Sequence, residues 1–223
     1  MRGTKPWSPY AYMNRKLRGL IAGLLVEAAA PGGGRIIDFG CADAPYAELL
    51  PPGMTHIGVD LEGNPDADVT LAPDGSVPLP DGSADVVLST QVLEHVDDPA
   101  AYLAECARLL CPGGSLVLTT HGIMYFHPDP VDYWRWTGDG LRKLVADAGF
   151  DVVEVRGVLG LVAAALLLVQ DGIGQHIPRL LHRPFVVIFQ ALIAAADRLS
   201  SDESRRHNAF VFGVRAVRRG PPA

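Results

Sequence analysis

The segment Arg35-Ile-Ile-Asp-Phe-Gly-Cys-Ala-Asp-Ala-Pro45 constrains the fold of this chain more than any other. A short apolar run, Ile36-Ile37, leads into Asp38 and Gly40, and then into a segment able to start a helix at Pro45. That order predicts a buried parallel strand followed by a tight turn. Gly40 lacks a Cβ, so a ligand can approach the backbone there. Roughly twenty residues later a second apolar run, His56-Ile-Gly-Val-Asp60, ends in a carboxylate. In a nucleotide-binding α/β unit that spacing sets an acidic side chain beside a ribose, where it accepts hydrogen bonds from the hydroxyls.

Four further segments follow in order. They are Asp74-Gly-Ser-Val-Pro-Leu-Pro-Asp-Gly-Ser-Ala-Asp85, Val86-Val-Leu-Ser-Thr-Gln-Val-Leu-Glu-His-Val96, Leu109-Leu-Cys-Pro-Gly-Gly-Ser-Leu-Val-Leu118, and Leu141 to Val155 with its Ala148-Gly-Phe150. With the first segment they resemble the class I S-adenosylmethionine-dependent methyltransferases, particularly the type 11 group, over roughly residues 34–158. The resemblance implies a Rossmann-like, doubly wound, mostly parallel α/β sheet of seven strands with helices on both faces. It implies S-adenosylmethionine as cofactor. One departure stands out: the family usually has Gly-x-Gly after the aspartate and glycine, whereas here the run is Gly40-Cys-Ala-Asp-Ala44. Alanine restricts φ where glycine does not, so a turn of different shape is expected.

A length of 223 residues suits one domain with a substantial core. The expected division is an N-terminal helical cap (1–33), a cofactor-binding core (34–158), a helical insertion (159–206) and a closing strand (207–217). A net charge of -6 supplies no global basic field, so nucleic acid is not an expected partner. Cys41, Cys106 and Cys111 are an odd set without Cys-x-x-Cys spacing, and read as reduced thiols in a cytoplasmic protein. The stretch Met1 to Tyr10 has no apolar core and does not read as a signal peptide. Ala-, Gly- and Arg-rich usage points, by association only, to a bacterial source.

From Tyr10 to Ala30, Leu17, Leu20, Ile21, Leu24 and Leu25 recur at helical spacing, predicting a helix across the sheet or over the cofactor mouth. Strand and helix signals then alternate as far as Phe150. Between Val158 and His207 lie two apolar runs, Gly157–Val169 and Phe185–Ala196, each shorter than the roughly 20 residues a bilayer span needs. No transmembrane span is expected. Buried or partner-facing helices are the first reading of this 158–196 region, a homodimer contact the second and membrane-surface docking the third. Asn208 to Val217 alternates apolar residues as a last strand, and Arg218 to Ala223 reads as a loose end.

Ligands of a doubly wound sheet sit beyond the carboxyl ends of its strands. By resemblance, Asp38, Gly40, Cys41 and Ala42 would hold the methionine part of the cofactor, together with Thr90 and Gln91. Asp60 and Leu61 would meet the ribose, and Leu71, Asp74 and Gly75 would border the adenine. Methyl transfer needs an acceptor nucleophile in line with the sulfonium methyl, about 3 Å away. A hydroxyl acceptor also needs a base, for which histidine suits neutral pH. His95, after the fourth strand, and His121, in a loop after the fifth, are the two candidates.

The segment His127-Pro-Asp-Pro-Val-Asp-Tyr-Trp-Arg-Trp-Thr137 is dense in rings and charges, which suits a sugar: C–H faces stack while hydroxyls take polar partners. It resembles that of methyltransferases of polysaccharide assembly, including those acting on mannosides of the mycobacterial methylmannose polysaccharide kind. Glu94, Tyr125, His127, Asp132, Tyr133, Trp134, Arg135 and Trp136 are the candidate acceptor residues, and the rings of Tyr133, Trp134 and Trp136 also read as a core cluster. Asp43, Glu94, Asp129 and Asp132 are oxygen donors of the kind Mg²⁺ takes, without a diagnostic spacing, so a metal stays open. The expected activity is O-methylation of a small sugar or oligosaccharide. A lipid-like or polyketide-type acceptor, or a non-catalytic cofactor-binding subunit, are the alternatives.

Overall fold

The computed structural model describes residue 5 and residues 7–220. Parts of the N-terminal stretch and of the expected loose end, namely residues 1–4, 6 and 221–223, lie outside the described residues. Seven strands form one sheet: β1 (Gly34–Phe39), β2 (Met54–Asp60), β3 (Val69–Thr70), β4 (Ala84–Thr90), β5 (Leu110–His121), β6 (Phe150–Gly160) and β7 (Ala209–Arg218). Their order is β3-β2-β1-β4-β5-β7-β6, with β7 antiparallel to both neighbours and the other pairings parallel. The Rossmann-like α/β expectation holds.

Successive residues of the central strands are buried on opposite faces, as the two-residue repeat of a strand requires. Ile37, Val87, Leu116 and Leu118 join one core, with Leu103, Cys106 and Leu109 of α2 (Pro99–Leu109) and Leu141 and Val145 of α3 (Gly138–Asp147). Ile36, Val86, Leu88 and Val117 join the other, beneath α1 (Ala11–Ala28) and α4 (Leu161–Gly174), with Ile193 and Ala196 of α5 (Arg179–Arg198). Sheets covered on both faces carry such continuous apolar strands.

The expected alternation of strand and helix fails early in the chain. Between β1 and β2 there is only a 3₁₀ turn at Ala47–Leu49, and no helix separates β2 from β3 or β3 from β4. Pro45, Pro51 and Pro52 leave too little chain for an α-helix, and Pro65, Pro73, Pro78 and Pro80 break the next two connections. α1 helps cover this end of the sheet, where Arg18 donates to the Pro45 carbonyl at 2.8 Å and pairs with Glu48. The helix crosses β5, β6 and β7, and it approaches β7 so closely that a Cβ at Gly213 would lie 2.6 Å from Leu20.

The apolar runs after β6 form α4 and α5, followed by the short α6 (Asp202–His207). α5 exceeds the apolar run seen in the sequence, because Arg179 to Pro184 extend the helix N-terminally. At 20 residues it is long and apolar enough to cross a membrane, by length and composition. That corrects the expectation that neither run reaches spanning length.

Ile21, fully buried between α1 and the sheet, tests whether α1 is structural. Ile21→Ala should lower unfolding free energy by about 2–5 kcal/mol, read by urea denaturation. A loss below about 1 kcal/mol would mean that α1 is a loosely attached cap.

Candidate functional site

The chain runs outward from β1 to β2 and β3, then returns to β4 on the other side of β1. The carboxyl ends of β1 and β4 therefore diverge into loops on opposite sides, opening the crevice where open α/β sheets bind ligands. A cavity of ≈ 1090 Å³ lies there. Of the expected cofactor residues, Gly40, Cys41, Ala42, Asp60, Leu61, Leu71, Asp74, Gly75, Thr90 and Gln91 line it. Asp38 does not. It is buried beneath the turn, with Oδ2 3.2 Å from His56 Nε2 and Oδ1 without a hydrogen-bond partner among the described residues. That contact with Asp38 raises the His56 pKa.

The turn after β1 keeps the left-handed shape a glycine would give. Ala42 and Ala44 both have φ of 48°. Two side chains from the β2 end hold it: the Ala42 N–H donates to Asp60 Oδ2 at 2.8 Å, and the Asn64 amide donates to the Ala42 carbonyl at 2.9 Å. Asn64 also donates to Asp60 Oδ2, while the Leu61 N–H donates to Asp60 Oδ1. These three bonds leave Asp60 free acceptor capacity, since a carboxylate offers about four lone-pair sites. The expectation of an altered turn is corrected: the backbone shape is retained, and Asp60 and Asn64 brace it. Cys41 is buried, and desolvation pushes its thiol up to about 12, which fits packing rather than nucleophilic chemistry.

Across the cavity the loop after β4 carries His95. Its Nδ1 is in short contact with the Val131 carbonyl. A carbonyl only accepts, so Nδ1 carries the proton and the neutral ring keeps its lone pair on Nε2. His95, His121 and His127 all line the cavity, with ring centroids 6.1–6.5 Å apart. His121 is not the loop residue expected. It ends β5 and is 3 % exposed, with Nδ1 buried and without a partner among the described residues.

Behind His121 sits Glu94, which is fully buried. Glu94 Oε1 lies 3.0 Å from His121 Nε2, and Oε2 accepts from the Thr120 hydroxyl at 2.8 Å. Burial pushes the Glu94 carboxyl up to about 7 and the His121 imidazole down to about 3. Desolvation disfavours both charged forms, so the pair rests as neutral acid and neutral imidazole over much of the acid range.

The ring-rich loop divides into wall and scaffold. Tyr125, His127 and Tyr133 line the cavity, as do Asp129 and Val131. Glu94, Asp132, Trp134, Arg135 and Trp136 do not, which corrects their assignment to the acceptor surface. Arg135 grips both oxygens of Asp132 at 2.6 Å and donates to the Met124 and Tyr125 carbonyls. This pairing holds the Asp132 carboxyl down at about 2. Trp134 stacks on Trp136 and donates from Nε1 to the Val96 carbonyl. Trp136 packs against the core beside α3, and Thr137 caps that helix by accepting from Gly140 N–H. No group of three or more His, Cys, Asp or Glu among the described residues is placed to hold a metal ion. The Asp43, Glu94, Asp129 and Asp132 set is thus not assembled.

Two contributors escaped the sequence reading. Asn64 braces the turn, and Asn14 on α1 lines the cavity with a buried Oδ1 that has no partner among the described residues. Asn14 occupies the same apolar stripe as Leu17, Ile21 and Leu24, and a polar residue on such a stripe was the available signal. Tyr10, just ahead of α1, also reaches the cavity. Its hydroxyl donates to Asp171 of α4 at 2.7 Å and accepts from Tyr125 at 2.5 Å.

The chain matches a family model described as a methyltransferase domain over residues 11–155. A Mycolicibacterium smegmatis protein named "Probable S-adenosylmethionine-dependent methyltransferase" is 30% identical over 139 residues, 55% of this chain and 54% of that one. A ubiquinone biosynthesis O-methyltransferase of Dinoroseobacter shibae is 31% identical over 156 residues, 56% and 63% of the two chains. The chain thus spans about half to three-fifths of the length of these curated relatives. Among solved structures, an S-adenosylmethionine-dependent methyltransferase from Mesorhizobium loti shares the fold. Its TM-score is 0.56 at 19% identity, covering 90% of this chain and 96% of that one. A Haemonchus contortus phosphoethanolamine N-methyltransferase with S-adenosylhomocysteine gives 0.57 at 19% identity, covering 93% and 53%.

Two outcomes are expected from this geometry. Ala44→Gly, which removes a Cβ from a left-handed residue, should stabilise the protein by about 1 kcal/mol in thermal unfolding; a clear loss of stability would mean that the turn is not strained. The Glu94 carboxyl binds its proton more tightly folded (about 7) than at its ordinary 4.5, so its stabilising contribution is full below pH 4.5 and is lost as pH rises toward 7. His121 acts in the opposite sense, its contribution being lost as pH falls from 6.5 toward 3. Glu94→Gln removes only the first. Relative to the parent, its unfolding free energy should therefore improve steadily between pH 4.5 and 7, and a pH-independent difference would overturn the assignment.

Proposed function

This chain belongs to the class I S-adenosylmethionine-dependent methyltransferase family, and we propose that within it the protein O-methylates a small sugar or oligosaccharide, a mannoside being favoured. Bound in the crevice, the cofactor supplies an electrophilic methyl on a sulfonium. The residues present suit it. Asp60 retains acceptor capacity for a ribose hydroxyl, and Leu61, Leu71 and Pro73 offer apolar surface for a base. The orphaned, buried Asp38 Oδ1 beneath the turn suits a cationic amino group. A Cβ at Gly40 would overlap Val92, so the turn is packed tightly against the loop that carries Gln91 and His95. The non-catalytic alternative loses its motive, since the turn keeps its left-handed shape.

One observation carries the reading: His95 Nδ1 is engaged by the Val131 carbonyl, which turns Nε2 into the available base at the cavity wall. His95 is then the group that takes the acceptor hydroxyl proton, a contribution of about 10²–10⁴ in rate. His121 is too enclosed for that role and supports the wall with Glu94 behind it. Sugar as the acceptor rests on Tyr125, His127 and Tyr133 beside Asp129, a pairing of ring faces with an oxygen acceptor.

Calorimetric titration with S-adenosylhomocysteine, then with partly methylated mannosides and glucosides, tests the acceptor. Binding of both supports the proposal, whereas cofactor binding without any saccharide response moves the acceptor to an apolar small molecule. On a confirmed acceptor, His95→Gln should keep S-adenosylhomocysteine affinity and lose about a hundredfold or more in turnover. Near-normal turnover would sink the base assignment.

A further inference from the structure

Among the described residues, the outer faces of α4 and α5 have no partner. On α5, Leu180, Pro184, Val187, Ile188 and Leu192 are exposed, with Leu180 at 88 % and Ile188 at 59 %, and Leu199 at its C-cap is exposed too. Spacings of three, four and seven set these residues on one stripe. α4 adds Leu161, Val162, Val169 and Ile173, also exposed. Contiguous apolar surface of this kind marks an interaction site on a soluble fold.

Charge identifies the occupant. From Gly172 to Ala196 there is no Asp or Glu, although the whole chain carries net charge -6. The same stretch holds Arg179 and Arg183, with His176 and His182, around the tip between the two helices. Trp7 lies at that tip, 43 % exposed, with Arg183 5.5 Å and Lys5 5.9 Å from its ring centroid. A tryptophan flanked by cations at the end of an apolar helical face is the composition of a bilayer interface, where the ring sits at headgroup level.

The inner face of α5 rules out a span. Gln190 is buried and donates to the Pro9 carbonyl at 2.6 Å and to Gln170 at 2.8 Å, while accepting from Tyr12 N–H. Asp197 is 1 % exposed and accepts from Gly160 N–H, Tyr12 OH and Arg205. Exposing these groups to hydrocarbon would forfeit their partners. The helix stays on the fold and offers only its outer side.

We infer that the α4–α5 hairpin docks this enzyme onto an anionic lipid surface, lying in the headgroup boundary with its apolar face toward the acyl chains. Acidic headgroups meet Arg179 and Arg183, and the docked hairpin remains tied to the cavity wall through Asp171, Tyr10 and Tyr125. The inference is independent of which molecule accepts the methyl group.

Flotation of the full chain with vesicles tests it. Binding is expected to vesicles of phosphatidylcholine and phosphatidylglycerol in equal parts, to be far weaker to phosphatidylcholine alone, and to fall with salt. Ile188→Ser with Leu192→Ser should abolish it. Arg179→Gln with Arg183→Gln should weaken it about thirtyfold. S-adenosylhomocysteine affinity, measured alongside, should be unchanged in both variants, which separates lost docking from lost folding. Three results would overturn the inference: no binding to either vesicle, anionic binding that survives both pairs of substitutions, or a dimer in light scattering that Ile188→Ser with Leu192→Ser dissolves.

Discussion

The brace on the Ala42 peptide is the constraint from which the rest of the site follows. A left-handed alanine costs about 1–2 kcal/mol relative to the right-handed form, and this turn contains two. Asp60 and Asn64 hold the first of them from both sides, N–H and C=O. Because both side chains come from the end of β2, the turn forms only once β1 and β2 are paired in register, with Phe39 beside Val59. The Gly40 and Cys41 N–H groups complete this by donating to the Val59 carbonyl. Sheet register therefore sets the crevice, and the crevice needs no glycine beyond Gly40.

Glu94 plays the corresponding part on the opposite wall. Its carbonyl accepts from the Tyr133 and Trp134 N–H groups, and its carboxyl accepts from Thr120 beside His121. One residue thus joins the loop after β4, the end of β5 and the ring-rich loop. That loop in turn supplies the Val131 carbonyl to His95, fixing its tautomer. The Asp132–Arg135 fork is what makes the carbonyl position reproducible, since it ties the same loop to the Met124 and Tyr125 backbone. Residues that do not line the cavity therefore determine the chemistry of those that do.

How much of this was legible in the sequence depended on the range of the interactions. β1, β4 and β5 each hold a short apolar run, Ile36-Ile37, Val86–Leu88 and Leu116–Leu118, and the alternating burial of Ile36 and Ile37 is implicit in a strand covered on both faces. Asp60, Gly75, Thr90 and Gln91 reach the cavity because each lies at or beyond the carboxyl end of a strand, a rule of topology that sequence order carries. Trp136 and Arg135 were misjudged because side chains in one loop have the same composition whether they face inward or outward, and only the Asp132 pairing and the stacking on Trp134 decide. His121 was misjudged because β5 extends to it, paired with Val211 of the last strand, a partner ninety residues away that no local pattern reveals. The missing helices were readable: the proline spacing between β1 and β4 already excluded them.

The orientation of α5 is decided by polar groups, although most of its surface is apolar. An apolar stripe alone would let the helix rotate to bury Val187, Ile188 and Leu192 in place of Val186 and Ile193. Gln190 and Asp197 remove that freedom, because both are buried in hydrogen bonds to fixed backbone atoms, the Pro9 carbonyl and the Gly160 N–H. Rotating either outward would leave those groups unpaired, at about 1–3 kcal/mol each, and would break the Asp197–Arg205 pair. Gly160 follows Leu159, which has φ of 59°, so the backbone that receives Asp197 is itself tightly set at the end of β6. The apolar outer stripe is thus not residual surface that a small rearrangement could bury. It is held outward by the same network that seats the hairpin on the sheet.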